Sequence, residues 1–348
     1  MKFAKKSFVY LFLLGAGVIL FVNVILETGV DNIISTLRNF SILYFGVYYV
    51  VQFINFIFLT WRWKVILKHF DHSPHFFSLI LHRMSGWTVS FLTPSAQIGG
   101  EPVRVMLLGK DGVRKRDAVF SVVVDKVLQL SGLIIFVLLG FLFLLSRHLV
   151  SGDVFWTIFL SLVFFIGLLG WFYYASIKDI GFFSSILKVL RLHKVKRFKK
   201  AYNKMLIVEE ALRDFYKGHW LKFTWLLFLS VLFEAYEMLE FWLIAHFLGY
   251  NMSFSETFLL RSLPCLAFLV PIPAALGVYE GSIAAVVSLL GLPFNAFVFA
   301  MVIRIRDLIN VFLGLSHLSG TGITALRRYF GDKLGKSWLR KKYWKLFG

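Results

Sequence analysis

Apolar runs long enough to cross a lipid bilayer dominate this 348-residue sequence. One helical crossing of a hydrocarbon core about 30 Å thick needs roughly 20 residues. Hydrophobic residues make up 58% of the chain and charged residues only 16%, which would expose too much apolar surface in water. The sequence therefore predicts an all-α polytopic membrane protein. We predict six transmembrane helices, at residues 7–26, 40–60, 118–145, 154–175, 219–248 and 295–318.

Two further apolar segments, residues 76–108 and 257–290, are interrupted near their middle. Lipid tolerates a broken helix only where the break is buried in protein or lines a water-filled cavity. We therefore predict two re-entrant helical hairpins, each of which enters and leaves the membrane on the same side. Because a half-helix that starts at a break presents unpaired N–H groups, its end is expected to favour anions. The predicted hairpin breaks contain Pro94, Gly99, Gly100, Pro271, Pro273 and Gly277.

Lysine and arginine collect on one predicted side of the membrane. The predicted outer loops hold only Arg38 and Arg147. Cytoplasmic loops carry an excess of positive charge, so we expect the basic segments and both termini to be cytoplasmic. The net charge of +19 follows this sidedness, and no nucleic-acid partner is expected. Most of the 38 basic residues fall in segments 1–6, 61–77, 109–117, 178–218 and 320–348.

Two of these basic segments carry a more specific expectation. Residues 178–218 interleave apolar and basic side chains, which predicts a cytoplasmic basic amphipathic segment on the inner leaflet. A solvated linker that only maintains the topology is the alternative. Residues 319–348 are predicted to form a basic cytoplasmic tail, and Arg62, Trp61 and Trp63 are interpreted as interfacial anchors.

The two broken segments share an internal repeat. Residues 91–94 read Phe-Leu-Thr-Pro and residues 268–271 read Phe-Leu-Val-Pro, and both are followed by a glycine and then a glutamate. An arginine precedes each motif, and an aspartate lies in the crossing that follows. These residues are Arg83 and Arg261, then Asp125 and Asp307. Because the hairpins would start on opposite sides, we predict an inverted repeat of residues 40–145 and 219–318.

Charged residues inside apolar segments need an explanation, since each costs about 2.5 to 3.5 kcal/mol near the bilayer centre. Arginine has a planar guanidinium group that donates two hydrogen bonds to a phosphate at once, which favours an anionic substrate. The alternative is that these residues only pair with one another and hold the hairpins in place. The predicted substrate-binding or gating residues are Glu101, Arg104, Asp125, Lys126, Glu280, Arg304, Arg306 and Asp307.

The fifth predicted crossing carries three glutamates spaced three residues apart, Glu234, Glu237 and Glu240. They are candidates for a cation or proton path that couples to transport. Alternatively, they neutralise the hairpin arginines or face a wet vestibule. We expect no metal and no cofactor, because the histidines of residues 69–75 have no accompanying acidic cluster and Pro74 interrupts any helix there.

Residues 94–104 and 271–281 resemble the two hallmark segments of the lysylphosphatidylglycerol synthase transmembrane region family. The first contains Gly-Gly-Glu-Pro-Val-Arg and the second Gly-Val-Tyr-Glu-Gly, where many members would have Gly-x-Arg-Glu. The likeness covers about residues 5–325 and implies lipid translocation in the cytoplasmic membrane of a prokaryote. Because the predicted crossings and hairpins occupy the chain, no aminoacyl-transferase domain is expected.

These observations favour a flippase or transporter that moves an anionic phospholipid, or a lipid-phosphate-linked sugar, between leaflets. We expect the protein not to be an enzyme. Alternatives are an intramembrane lipid phosphatase or headgroup transferase and, less favoured, a channel. The sequence contains no ATP-binding Gly-x-x-x-x-Gly-Lys loop, so energy would come from a gradient, from consumption of the product, or from neither. The oligomeric state is left open.

The predicted topology places residues 109–117, 178–218 and the C-terminus in the cytoplasm and residues 249–256 outside. Single cysteines introduced after replacement of Cys265 test it with a membrane-impermeant thiol reagent. A cysteine at Lys110 should be protected in intact cells, and one at Asn251 should be labelled. External labelling at Lys110 would mean that residues 76–108 cross the membrane, which would contradict the first hairpin.

Overall fold

The computed structural model describes residues 41–95, 97–146, 152–178, 180–182, 184–185 and 196–344. Every regular element within these ranges is helical, as the sequence predicts. The first predicted crossing, residues 7–26, lies outside them, and so do residues 186–195 of the basic amphipathic segment.

The first half consists of a long helix, two shorter helices and a second long helix. They are α1 (Ile42–His69), α2 (Phe76–Leu92), α3 (Glu101–Lys110) and α4 (Lys115–Ser146). The Ser41 side chain caps α1 by accepting the N–H of Leu43. Pro94 and Gly99 lie in the non-helical stretch between α2 and α3, where the sequence places the first break. Helix α5 (Asp153–Ile177) follows.

The second half repeats this order with a more irregular break. Helix α6 (Lys196–Phe247) is followed by α7 (Phe254–Ser262), two 3-10 turns (Pro264–Leu269 and Pro273–Ala275), α8 (Val278–Leu289) and α9 (Ala296–Trp344). The chain leaves helical geometry at the predicted break, where Gly277 has a φ of 77° that a glycine adopts without strain. Each half is thus a helix, a broken pair and a helix.

The first helices of the two halves run antiparallel to each other. Residues later in α1 contact residues earlier in α6. The ring of Tyr44 stacks on Phe247, Asn55 donates to Glu237, and Arg62 donates to Ser230. The first helix of each broken pair also packs on the last helix of the other half: α2 packs on α9, and α7 packs on α4. An inverted repeat requires such an antiparallel arrangement.

Two helices continue past their predicted ends. Helix α6 starts at Lys196, so residues 196–218 share one helix with the predicted fifth crossing and do not form a separate one. The side chain of Glu210 on this extension binds Arg116, at the start of α4, at 2.9 Å. Residues 319–344 of the predicted tail likewise continue α9. At about 1.5 Å per residue, both helices are longer than a bilayer core is thick.

The surface of the described part is suited to lipid. Helices α1 and α4 are each long and apolar enough to cross a membrane on their own, and they are the two within the described residues that meet both criteria. Large apolar side chains on other helices are also more than half exposed, among them Leu160, Phe164, Leu308 and Phe312. Exposed apolar side chains of this size on several helices suit contact with lipid better than contact with water. The full count of six crossings stays a prediction.

Glycines allow the helices of the halves to approach each other closely. A side chain on Gly314 of α9 would collide with Thr88 and the carbonyl of Met84 on α2. A side chain on Gly140 of α4 would collide with Ser262 at the end of α7. The contact of α9 with α2 and the corresponding contact of α4 with α7 therefore each depend on a glycine of the long helix.

We predict that Gly100→Ala destabilises the first broken pair. A β-carbon at this position would lie 1.7 Å from the carbonyl oxygen of Gly86, so the α2 and α3 backbones must separate. Overpacking of this kind costs about 1 to 3 kcal/mol. Thermal unfolding in detergent measures the loss. Gly109→Ala is the control, because it lies on α3 with open space around it and should be neutral or stabilising. Equal unfolding temperatures would contradict this packing.

Candidate substrate cavity

A cavity of about 180 Å³ lies between the two halves of the fold. Helices α1 to α4 supply one wall, and α6, α7, α9 and the second break supply the other. The predicted residues that line it are Glu101, Arg104, Lys126, Glu234, Glu237, Glu240, Arg306 and Asp307. The repeat thus brings together charged side chains that lie up to about two hundred residues apart in the chain.

Asp125 on α4 binds three guanidinium groups behind the first wall. Its Oδ1 accepts from Arg62 at 3.0 Å, and its Oδ2 accepts from Arg83 at 2.8 Å and from Arg104 at 2.7 Å. The carboxylate is fully buried, and it joins α1, α2, α3 and α4 at one point. One negative charge therefore orients three positive ones.

Arg62 was missed as a site residue, and its interpretation as an interfacial anchor is wrong. Its side chain is fully buried, donates to Asp125 and donates to Ser230 on α6 at 2.7 Å. Trp63 is also fully buried, and the guanidinium of Arg104 lies 3.9 Å above its ring centre. In the sequence, an arginine between two tryptophans is typical of a membrane interface. Only the fold shows the buried aspartate that Arg62 contacts.

Glu101 holds the cavity-facing charges of the first wall. Its Oε2 accepts from Arg104 at 3.0 Å, and its Oε1 lies 3.5 Å from the ammonium of Lys126. The main-chain N–H of Gly100, at the start of α3, is taken up by the hydroxyl of Ser90 at 2.8 Å. An anion at this wall would therefore meet side-chain cations and not a free helix end.

The second wall carries more carboxylates than cations. One guanidinium nitrogen of Arg261 donates to both Glu234, at 2.6 Å, and Glu237, at 2.5 Å. Arg306 is shared in the same way between two acids, donating to Glu240 at 2.7 Å and to Asp307 at 2.8 Å.

Glu280 and Arg304 lie behind this wall and do not line the cavity. Arg304 donates to the buried Glu280 and, at 2.9 Å, to the carbonyl of Ala274 in the second break. The other oxygen of Glu280 accepts the N–H of Gly277 at 2.8 Å, which occupies the start of α8. This pair fastens the second break to α9.

Arg83 and Arg261 are two cavity-lining residues that the sequence-based choice of site residues missed. Both line the cavity and both are 5% exposed. The signal was available, because they occupy matching places in the two halves of the repeat. Gln52 and Asn55 on α1 also line the cavity, and no sequence motif distinguishes them from other polar residues in a crossing.

The two walls have opposite charge excess. Around Asp125, four basic side chains face two acidic ones: Arg62, Arg83, Arg104 and Lys126, with Glu101 and Asp125. On the other side, three basic side chains face five acidic ones: Arg261, Arg304 and Arg306, with Glu234, Glu237, Glu240, Glu280 and Asp307. The cavity is therefore basic on one side and acidic on the other.

Comparison with known proteins gives a consistent match. The model of the lysylphosphatidylglycerol synthase TM region matches residues 8–314. A UPF0104 membrane protein of Methanocaldococcus jannaschii is 28% identical over 243 residues, which cover 65% of this chain and 68% of that protein. A UPF0104 membrane protein of Methanothermobacter thermautotrophicus is 26% identical over 346 residues, covering 93% of this chain and 96% of the relative.

We predict that Asp125→Asn strongly destabilises the fold. The substitution preserves shape but leaves three buried guanidinium groups without their shared carboxylate, a loss worth about 3 to 5 kcal/mol for a broken buried pair. Thermal unfolding in detergent measures the effect. Asp71→Asn makes the same chemical change at an exposed turn with φ of 58°, which asparagine tolerates. Equal loss in both variants would contradict the role of Asp125.

Proposed function

This chain belongs to the lysylphosphatidylglycerol synthase transmembrane region family, and from this premise we propose that it moves an anionic lipid between membrane leaflets. The cargo would be an anionic phospholipid or a lipid-phosphate-linked sugar. The observation that carries the proposal is the basic wall of the cavity, where Arg83, Arg104 and Lys126 meet too few carboxylates to balance them.

The basic wall has the chemistry to hold a phosphate. The Nε atoms of Arg83 and Arg104 are buried and have no hydrogen-bond partner among the described residues. Charge-assisted bonds from arginine to phosphate are short and strong, and their fork geometry adds orientation. Asp125 and Trp63 already hold these arginines in position, so little side-chain order is lost when an anion binds.

The cavity also offers an apolar lining for the part of a lipid next to its headgroup. Phe91, Leu130 and Leu133 line it together with the charged residues. If a headgroup bound between the walls, its hydrocarbon chains would stay in the bilayer, against the apolar outer surfaces of the helices. The headgroup would then be the part that needs a protein path.

The repeated architecture supports alternating access. Two halves whose first helices are antiparallel can exchange roles, so inward-open and outward-open states have similar energies. A lipid with different affinity for the two states shifts that equilibrium. In this proposal, both termini are cytoplasmic and the broken pairs are re-entrant hairpins of a prokaryotic cell membrane.

Arg104→Gln is expected to impair lipid binding and transport, because it removes a charge and a fork from the cavity. A lost buried charged hydrogen bond weakens binding by about 2 to 5 kcal/mol. The measurement is translocation of fluorescent phosphatidylglycerol in proteoliposomes, with an external quencher. The variant should fold, since Asp125 keeps Arg62 and Arg83. Arg104→Lys, which keeps the charge and loses the fork, should be intermediate.

Arg114→Gln is the matched control, because Arg114 is exposed and lies outside the cavity. It should transport like the unaltered protein. Undiminished binding and transport by folded Arg104→Gln would remove Arg104 from the site. Mass spectrometry of the recovered lipid separates transport from catalysis, since a flippase leaves the lipid chemically unchanged and a headgroup transferase or phosphatase does not.

A further inference from the structure

Three oxygen atoms where α1 meets the acidic wall of the cavity have no hydrogen-bond donor among the described residues. They are Oε1 of Gln52, Oδ1 of Asn55 and Oε1 of Glu240. Their side chains line the cavity but are only 6%, 5% and 1% exposed. Buried acceptors without a partner are unfavourable, so these three atoms indicate a place for a group that donates to oxygen or is coordinated by it.

The antiparallel pairing of α1 and α6 places these atoms at neighbouring levels. Asn55 lies opposite Glu237, to which its amide nitrogen donates at 2.5 Å. Gln52 is three residues earlier on α1 and Glu240 is three residues later on α6, so in antiparallel helices they face each other about one turn further along. Two neighbouring levels of the contact between α1 and α6 thus contribute all three oxygens.

The surrounding charge points to a cation as the missing group. Arg261 serves two carboxylates and Arg306 serves two more, which leaves this wall with an excess of negative charge. One oxygen of Glu240 is engaged by Arg306, and the other is the unpartnered one. A buried carboxylate excess in a low-dielectric environment is neutralised either by a cation or by protons.

We propose that Gln52, Asn55 and Glu240 form a binding site for an alkali-metal cation. Hard cations prefer oxygen ligands, and carboxamide oxygens coordinate them without a change in protonation. A proton on Glu240 would give a donor to Gln52 alone and would leave Asn55 unsatisfied. Within the described residues, no group of three or more His, Cys, Asp and Glu side chains could hold a metal ion, so the carboxamide oxygens have to supply ligands here. A single charge fits the one carboxylate oxygen that is available.

The site deepens the proposed function but is tested without it. If the basic wall takes an anionic headgroup, a cation on the acidic wall neutralises the opposite side of the same cavity, and the two bind together. Binding of the cation alone is measured on purified protein in uncharged detergent, with no lipid transport. If the lipid translocation assay failed, a cation effect on unfolding would still support the cation site. If no cation effect were found, the lipid assay would still test the proposed function.

The experiment compares thermal unfolding in NaCl, KCl and N-methylglucamine chloride at equal ionic strength and pH. We expect Na⁺ or K⁺ to raise the melting temperature by roughly 2 to 4 °C in a saturable way. The increase should be lost in Glu240→Gln. It should also be lost in Gln52→Leu, which removes a ligand without touching an ion pair and so guards against a folding defect in the first variant.

Glu210→Gln is the matched control, since it removes a carboxylate that pairs with Arg116 outside the cavity. Its response to salt should equal that of the unaltered protein. Equal melting temperatures in all three salts would overturn the proposal and indicate a direct amide–carboxylate bond between Gln52 and Glu240. A cation effect that persists in both site variants would overturn it as well, because the ion would then bind elsewhere.

Discussion

The ion pairs of Asp125 organise the first half of the fold. Three guanidinium groups from α1, α2 and α3 converge on this one carboxylate, which is fully buried on α4. Each arginine alone would be costly in a membrane, and the carboxylate alone would be too. Together they define where four helices meet. Because one charge cannot neutralise three, the same interaction that holds the helices leaves the neighbouring wall basic.

The antiparallel contact between α1 and α6 sets what lies opposite that wall. Arg62 reaches from the Asp125 cluster to Ser230 on α6, and about two turns away the same helix pair brings Asn55 to Glu237. The glutamates of α6 therefore face the arginines across one cavity. Such separation of charge suits a site that takes an anion on one side and a cation on the other.

The breaks in the helices serve this cavity in two different ways. The first break exposes residues such as Gln97 to the cavity, while the hydroxyl of Ser90 satisfies the backbone at the start of α3. The second is fastened from behind by Glu280 and Arg304. Irregular backbone is tolerated at membrane depth because protein groups replace the missing helical hydrogen bonds. The chemistry of the site then belongs to side chains.

The sequence by itself determined the helical class, the position of both breaks and the membrane environment, since these follow from apolar length and from Pro and Gly in the local chain. It also indicated that charges such as Arg104 and Glu237 needed partners. Only the tertiary structure decided which partners they have. Arg62 looked like an anchor because its carboxylate lies 63 residues away, and Glu280 looked like a cavity residue because its role depends on α9. Pairing between distant charges depends on how helices pack, which local patterns do not encode.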